Sequence, residues 1–188
     1  DMTDRPELTD KVVFTVDADR ATFWRGQIYD RWDGRTWTQS QPRRFPLGPE
    51  GEVFHDDLDL GATGDDVLVQ RLRLEAGYSD VVFAAASAVS IEAGTPVAQT
   101  ADGSLTATNE AFGRGATYTV TSRRPVLSPE LLREAGRQLV PEGIRTRYAA
   151  DPTATARVRA AALRVTDGID GTYDQILALE RWMGERTE

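Results

Sequence analysis

The residue types that perform most acid, base and nucleophilic chemistry are scarce in this chain. It has one histidine, His55, one lysine, Lys11, and no cysteine. A serine nucleophile needs a histidine or lysine to take its proton, and no serine here sits in a recognisable elbow motif. His55 lies in "EVFHDDLDLGATGDD", beside Asp56, Asp57 and Asp59. A metal site there would lack a second soft ligand, and the acids do not follow the ligand spacing of a calcium loop. A solvated acidic loop is the simpler reading. Carboxylate pairs such as Glu75 with Asp80, or Glu180 with Glu185, could in principle hydrolyse glycosides, but nothing singles them out. "FGRGATY" (Phe112–Tyr118) is too poor in glycine to cradle a phosphate. No residue is assigned a catalytic, cofactor-binding or metal-binding role, and no cofactor is expected.

Bulk composition narrows the partners. The chain has 188 residues, 40 % of them apolar and 28 % charged, which suits a folded soluble domain or one domain plus part of another. Net charge is −8, so no nucleic-acid partner is expected, because a phosphate backbone demands a basic surface. The absence of cysteine removes disulfides and thiol chemistry from the segment and leaves its compartment open. The longest apolar run, Val81 to Ala86, is far short of the roughly 20 residues that span a bilayer, so no direct membrane insertion by this segment is expected. "DMTDRPELTD" does not read as a signal peptide, and an Asp ahead of the first Met points to a piece of a longer protein.

The elements that must position any site change character along the chain. "KVVFTVDAD" (Lys11–Asp19) is β-branched and aromatic, with Phe14 and Val16 in alternation, which predicts a strand. "QPRRFPLGPEG" (Gln41–Gly51) holds three prolines and reads as a loop. "DVLVQRLRLEAG" (Asp66–Gly77) places Val67, Val69, Arg71 and Arg73 on one side and Leu68, Leu72 and Leu74 on the other, a half-buried strand. One or two buried strands are expected over 80–94, a hairpin around Asp102-Gly103, and a last strand over 116–125. Helices follow. Ser128 is a candidate N-cap before Pro129, Gly168 stops a helix in 151–168, and 172–188 carries an apolar stripe including Ile176 and Met183. Strands followed by helices predict an α+β protein, mainly β: an antiparallel β-sandwich or barrel-like domain with helices after it.

"FWRGQIYDRWDGRTW" (Phe23–Trp37) concentrates three of the four tryptophans around an Asp-Gly pair. With Asp33-Gly34 as a two-residue turn, Trp32 faces Arg35 and Asp30 faces Trp37, and Trp24, Ile28, Trp32 and Trp37 share one side. Burying one indole removes roughly 150–250 Å² from water, so that side is expected to be packed away as core or domain interface. A carbohydrate platform and a partner-protein patch are the alternatives. Gly26 would let a ring lie against the backbone.

Two stretches resemble bacterial membrane-anchored transglutaminase-like proteins of the TgpA type. "ATFWRGQIYDRWDGRTW" (Ala21–Trp37) looks like the W-R-G-x-x-Y-D-x-[YW]-D-G-x-x-W stretch that opens the family's extracytoplasmic region. "RYAADP" (Arg147–Pro152) and Ala156–Glu188 are similar to the paired helices that begin its papain-like transglutaminase core. The resemblance implies a β-rich accessory domain over 1–126, a helix and linker over 127–151, and the first helices of a truncated core over 152–188. It implies a Cys-His-Asp centre beyond Glu188, hence no enzyme activity in this segment, and an extracytoplasmic place tethered to the membrane. Its partners would be the parent's own core and membrane segments, and a peptide or cell-wall substrate. In such a truncated core, Trp182 is expected to miss a partner. The rival is an independent carbohydrate- or peptidoglycan-binding β module.

Overall fold

The computed structural model describes residues 9–39, 43–47, 66–77, 80–100, 103–108, 112–124, 126–140, 142–146 and 154–186. The chain divides into two compact units, Asp1–Val126 and Leu127–Glu188. The first carries twelve strands among its described residues: β1 Phe14–Ala18, β2 Trp24–Arg25, β3 Arg31–Trp32, β4 Trp37–Thr38, β5 Arg44–Pro46, β6 Asp66–Leu74, β7 Val81–Val82, β8 Ala84–Ala85, β9 Ala88–Ala93, β10 Val97–Thr100, β11 Leu105–Ala107 and β12 Thr117–Arg124. One four-stranded sheet has the order β1-β6-β12-β9 and another β5-β10-β11-β7; β2-β8 and β3-β4 form two-stranded pieces. All recorded pairings are antiparallel. The mainly β, α+β class read from the sequence is what the chain adopts.

The β6 alternation works as its residue types demand. Leu68, Gln70, Leu72 and Leu74 are buried, while Val67, Val69, Arg71 and Arg73 face out. Both four-stranded sheets line one core, with Leu72, Leu74 and Val120 from the first and Val82, Val97 and Leu105 from the second. Residues 80–93 form three short strands rather than one or two. Gly103, at φ +80, turns the β10–β11 hairpin, whereas Asp102 lies outside the described residues.

The proline-rich 41–51 stretch is not wholly loop. Arg44–Pro46 is an edge strand whose Phe45 pairs with Gln99 of β10. Proline is tolerated there because an edge strand has one side that needs no ladder bond, and the partner strand lies about fifty residues away in sequence, where local composition cannot announce it.

The core contains a polar arrangement that alternation missed. Gln70 and Ser122 are fully buried. Gln70 Nε2 donates to Ser122 Oγ at 2.9 Å, the Ala85 amide donates to Gln70 Oε1 at 2.7 Å, and Ser122 Oγ donates to the Ala85 carbonyl at 3.1 Å. Tyr118 does the same one step upstream: its hydroxyl donates to the Phe83 carbonyl at 3.1 Å and accepts from the Phe83 amide at 3.0 Å. Buried backbone groups require partners, and strands two residues long supply few. Side chains from β6 and β12 therefore fix the 83–85 segment in place.

The second unit comprises α1 Pro129–Ala135, the short turn α2 Glu142–Ile144, α3 Ala156–Thr166 and α4 Thr172–Gly184. Ser128 caps α1, its hydroxyl accepting from the Leu131 amide at 3.2 Å, with Pro129 at the first position. Thr155 caps α3 in the same way. Gly168 at φ +69 and Gly171 at φ +88 turn the chain between α3 and α4. Arg133 of α1 forks onto Asp174 in the first turn of α4, at 3.0 to 3.1 Å. That hydrogen bonding holds the Asp174 carboxyl below its ordinary range, and an acid at a helix start is favoured by the dipole.

Candidate functional site

The Phe23–Trp37 stretch is two pieces with different surroundings. Its inner piece, β2, pairs with β8, placing Trp24 opposite Ala85. Trp24 packs edge-on to Phe14, at 6.5 Å between ring centres, against the common core. Gly26 is where a ring meets backbone. A side chain there would stand 2.9 Å from the Phe83 ring, closer than packing permits. Arg25 adds a hydrogen bond to the Gly103 carbonyl at 3.0 Å. Since β8 is the segment held by Gln70 and Ser122, the buried polar groups also fix the base of the ribbon.

The outer piece departs from the expectation. The turn is centred one residue downstream: the Asp33 amide bonds the Thr36 carbonyl at 3.3 Å, and Gly34 at φ +100 is the first of two central residues. Trp32 therefore faces Trp37, and Arg31 faces Thr38. Shifting a turn by one residue changes every pairing by two positions, so the two indoles still share a face. That face is not sealed. Trp32 is 38 % and Trp37 52 % exposed. The packed-face expectation holds for Trp24 and fails for Trp32 and Trp37, because β3-β4 is not part of either large sheet and the chain between 26 and 30 leaves the ladder.

The two outer rings rest on each other, with centres 5.3 Å apart and planes at 36°. They sit at a non-hydrogen-bonded pair, where side chains approach most closely, and such a contact contributes about 0.5–1.5 kcal/mol. The turn is tightened by Asp33, whose Oδ1 accepts from the Arg35 and Thr36 amides, both at 2.7 Å. These bonds, that from Thr36 foremost, hold its carboxyl below the usual range. Elsewhere in the stretch Phe23 is 95 % and Tyr29 53 % exposed.

The remaining sequence candidates do not converge. Glu75 pairs with Arg73 at 3.3 Å and Asp80 with Arg44 at 3.3 Å. Glu185 approaches Arg186 at 3.9 Å, and Glu180 is exposed. Lys11 is exposed beside an open groove shared with Glu75 and Arg114. His55, Asp56, Asp57 and Asp59 lie outside the described residues. Among the described residues no three acidic or histidine side chains gather as a metal site would require, and no helix is long and apolar enough to cross a membrane.

The sequence model of the TgpA N-terminal domain matches residues 2–129, which takes in β1 to β12 and with them the ribbon. The chain belongs to that family. Among solved structures it is similar to the periplasmic domain of TgpA from Pseudomonas aeruginosa, at 17 % identity and a TM-score of 0.53, over 92 % of this chain and 55 % of that one. The same domain bound to ethylmercury gives 17 % identity and a TM-score of 0.53, over 92 % of this chain and 56 % of the other. At that identity the likeness is one of fold, and the chain spans little more than half the length of those structures. No curated protein matches it. In this chain the ribbon motif forms a hairpin with a half-buried base packed on the core and an exposed tip. The tip is what sequence reasoning missed, since alternation gives which residues share a face but not whether anything covers it.

Proposed function

We propose that this chain is a non-catalytic accessory domain on the extracytoplasmic side of a membrane-anchored transglutaminase-like protein, with residues after 152 opening the parent's papain-like core. The observation that carries this is the match of the TgpA N-terminal domain over residues 2–129, in a chain with no cysteine. The parent's chemistry would be acyl transfer or amide hydrolysis by a downstream thiolate on peptide or protein substrates.

The helical unit supports the second part. In α4, Ile176 is 55 % and Met183 52 % exposed, seven residues apart on one face. These two, and not Trp182, are the exposed large apolar side chains of α4. Trp182 is half-buried, with the Arg186 guanidinium 4.5 Å above its ring. A core sheet laid on α4 would bury both residues. The experiment is to read the coding sequence beyond Glu188 and express the chain extended through it. The proposal requires a cysteine and a histidine in the extension, and slower hydrogen exchange in α4 once it is present. An extension without either residue contradicts it.

The carbohydrate-module alternative gains from the exposure of Trp32 and Trp37. It loses on geometry, because a sugar ring needs a flat indole face and these two cover part of each other at 36°. A change in tryptophan emission on adding soluble peptidoglycan fragments would favour it.

A further inference from the structure

We infer that the helical unit, Leu127–Glu188, is a separate cooperative unit of marginal stability, which opens while the β unit stays folded and is completed by further chain packing on α3 and α4. Burial is the observation that carries this. Among the described residues, the β unit holds Leu68, Leu74 and Val120 at 0 % exposure, whereas none of α1, α2, α3 and α4 contains a buried residue. Ordering a chain costs conformational entropy at every residue, and burial of apolar side chains is the main effect that offsets it. Helices without an interior lack that offset.

Helix length does not make up the difference. α3 has 11 residues and α4 has 13, a length at which isolated helices are marginal in water even with favourable composition. The ties between α1 and α4 are polar and near the surface. Arg133 forks onto Asp174 and lies 5.2 Å from the Tyr173 ring centre, and the Thr172 hydroxyl donates to the Gly136 carbonyl at 3.3 Å. Such bonds fix geometry once helices have met, but add little stability where water competes for them. Meanwhile Leu163, 72 % exposed, and Val158, 55 % exposed, leave apolar surface of α3 in water beside that of Ile176 and Met183 on α4. An apolar helix face needs another layer to cover it. That layer is the same chain beyond Glu188, a point that rests on the function proposed above; this chain covers only 55 % of the similar periplasmic domain.

The test is hydrogen exchange of the 188-residue chain, read by mass spectrometry across sub-denaturing urea concentrations. Amides of α3 and α4 should open at least about a hundredfold more often than those of β6 and β12, as local opening does relative to global unfolding. Ala162→Gly, inside α3, should raise exchange in both α3 and α4 about fivefold and leave β6 unchanged. In the chain extended through its downstream sequence, the gap between the helices and β6 should narrow by at least about tenfold. Equal opening of α4 and β6 in the 188-residue chain would overturn the separate unit. So would an equal effect of Ala162→Gly on β6, or a change confined to α3. An extension that leaves the gap as wide would overturn completion by the following chain. These readouts stand apart from the search for a cysteine and a histidine beyond Glu188, whose failure would sink the functional proposal and leave the separate opening in place.

Discussion

At the scale of single residues, the fold leans on polar groups that hydropathy would have placed outside. Gln70 interrupts the leucine side of β6, and the alternation around it was legible while its role was not: whether a buried amide is satisfied depends on Ser122 and Ala85, far away in sequence. Gln70→Leu keeps the bulk but removes both bonds, leaving the Ala85 amide without that acceptor. We expect a loss of about 1–3 kcal/mol, read as a lower urea midpoint for the β unit. Tyr118 carries a sign that pH can reveal. Burial pushes its phenol well above the ordinary value, so the folded state binds the proton more tightly than the unfolded one. Its contribution is complete below about pH 10, the unfolded value, and is lost as pH rises beyond it. Tyr118→Phe should therefore be less stable at neutral pH, through its lost bonds to Phe83, and show a shallower decline in alkaline urea titrations.

Elements differ in how far their own residues determine them. The α1 start was legible from Ser128 and Pro129, and the α3 stop from Gly168, because caps and stops act within one turn of helix. β6 was legible for the same reason: its pattern is local. β5 was not, since an edge strand of three residues exists only by virtue of β10. The ribbon lies between these cases. Its turn and the shared face of Trp32 and Trp37 were readable to within one residue, but their exposure depends on β3-β4 standing apart from both sheets. Ties between helices can be tested separately. Asp174 has its carboxyl lowered by Arg133, so this link is present at neutral pH and is lost as pH falls below the ordinary carboxylate range. Asp174→Asn should remove the acid-dependent part of the protection of α1 and α4 in hydrogen exchange. Both groups lie near the surface, so the effect on overall unfolding should be small.

For the molecule as a whole, the sequence disclosed a mainly β unit with helices after it, and the family follows from the match across residues 2–129. The candidate site was legible only as a concentration of aromatics. What divides it is tertiary: a base locked to the core through β8, and a tip that nothing among the described residues covers. The accessory role proposed above rests on that family match; within the chain, Asp80 and Glu75 are engaged with Arg44 and Arg73. The most direct measurement is acyl transfer and amide hydrolysis by the purified 188-residue chain, run beside the same chain extended through its downstream sequence. No turnover is expected from the former, and iodoacetamide-sensitive turnover from the latter. Turnover by the 188 residues alone, undiminished by iodoacetamide, would contradict the account.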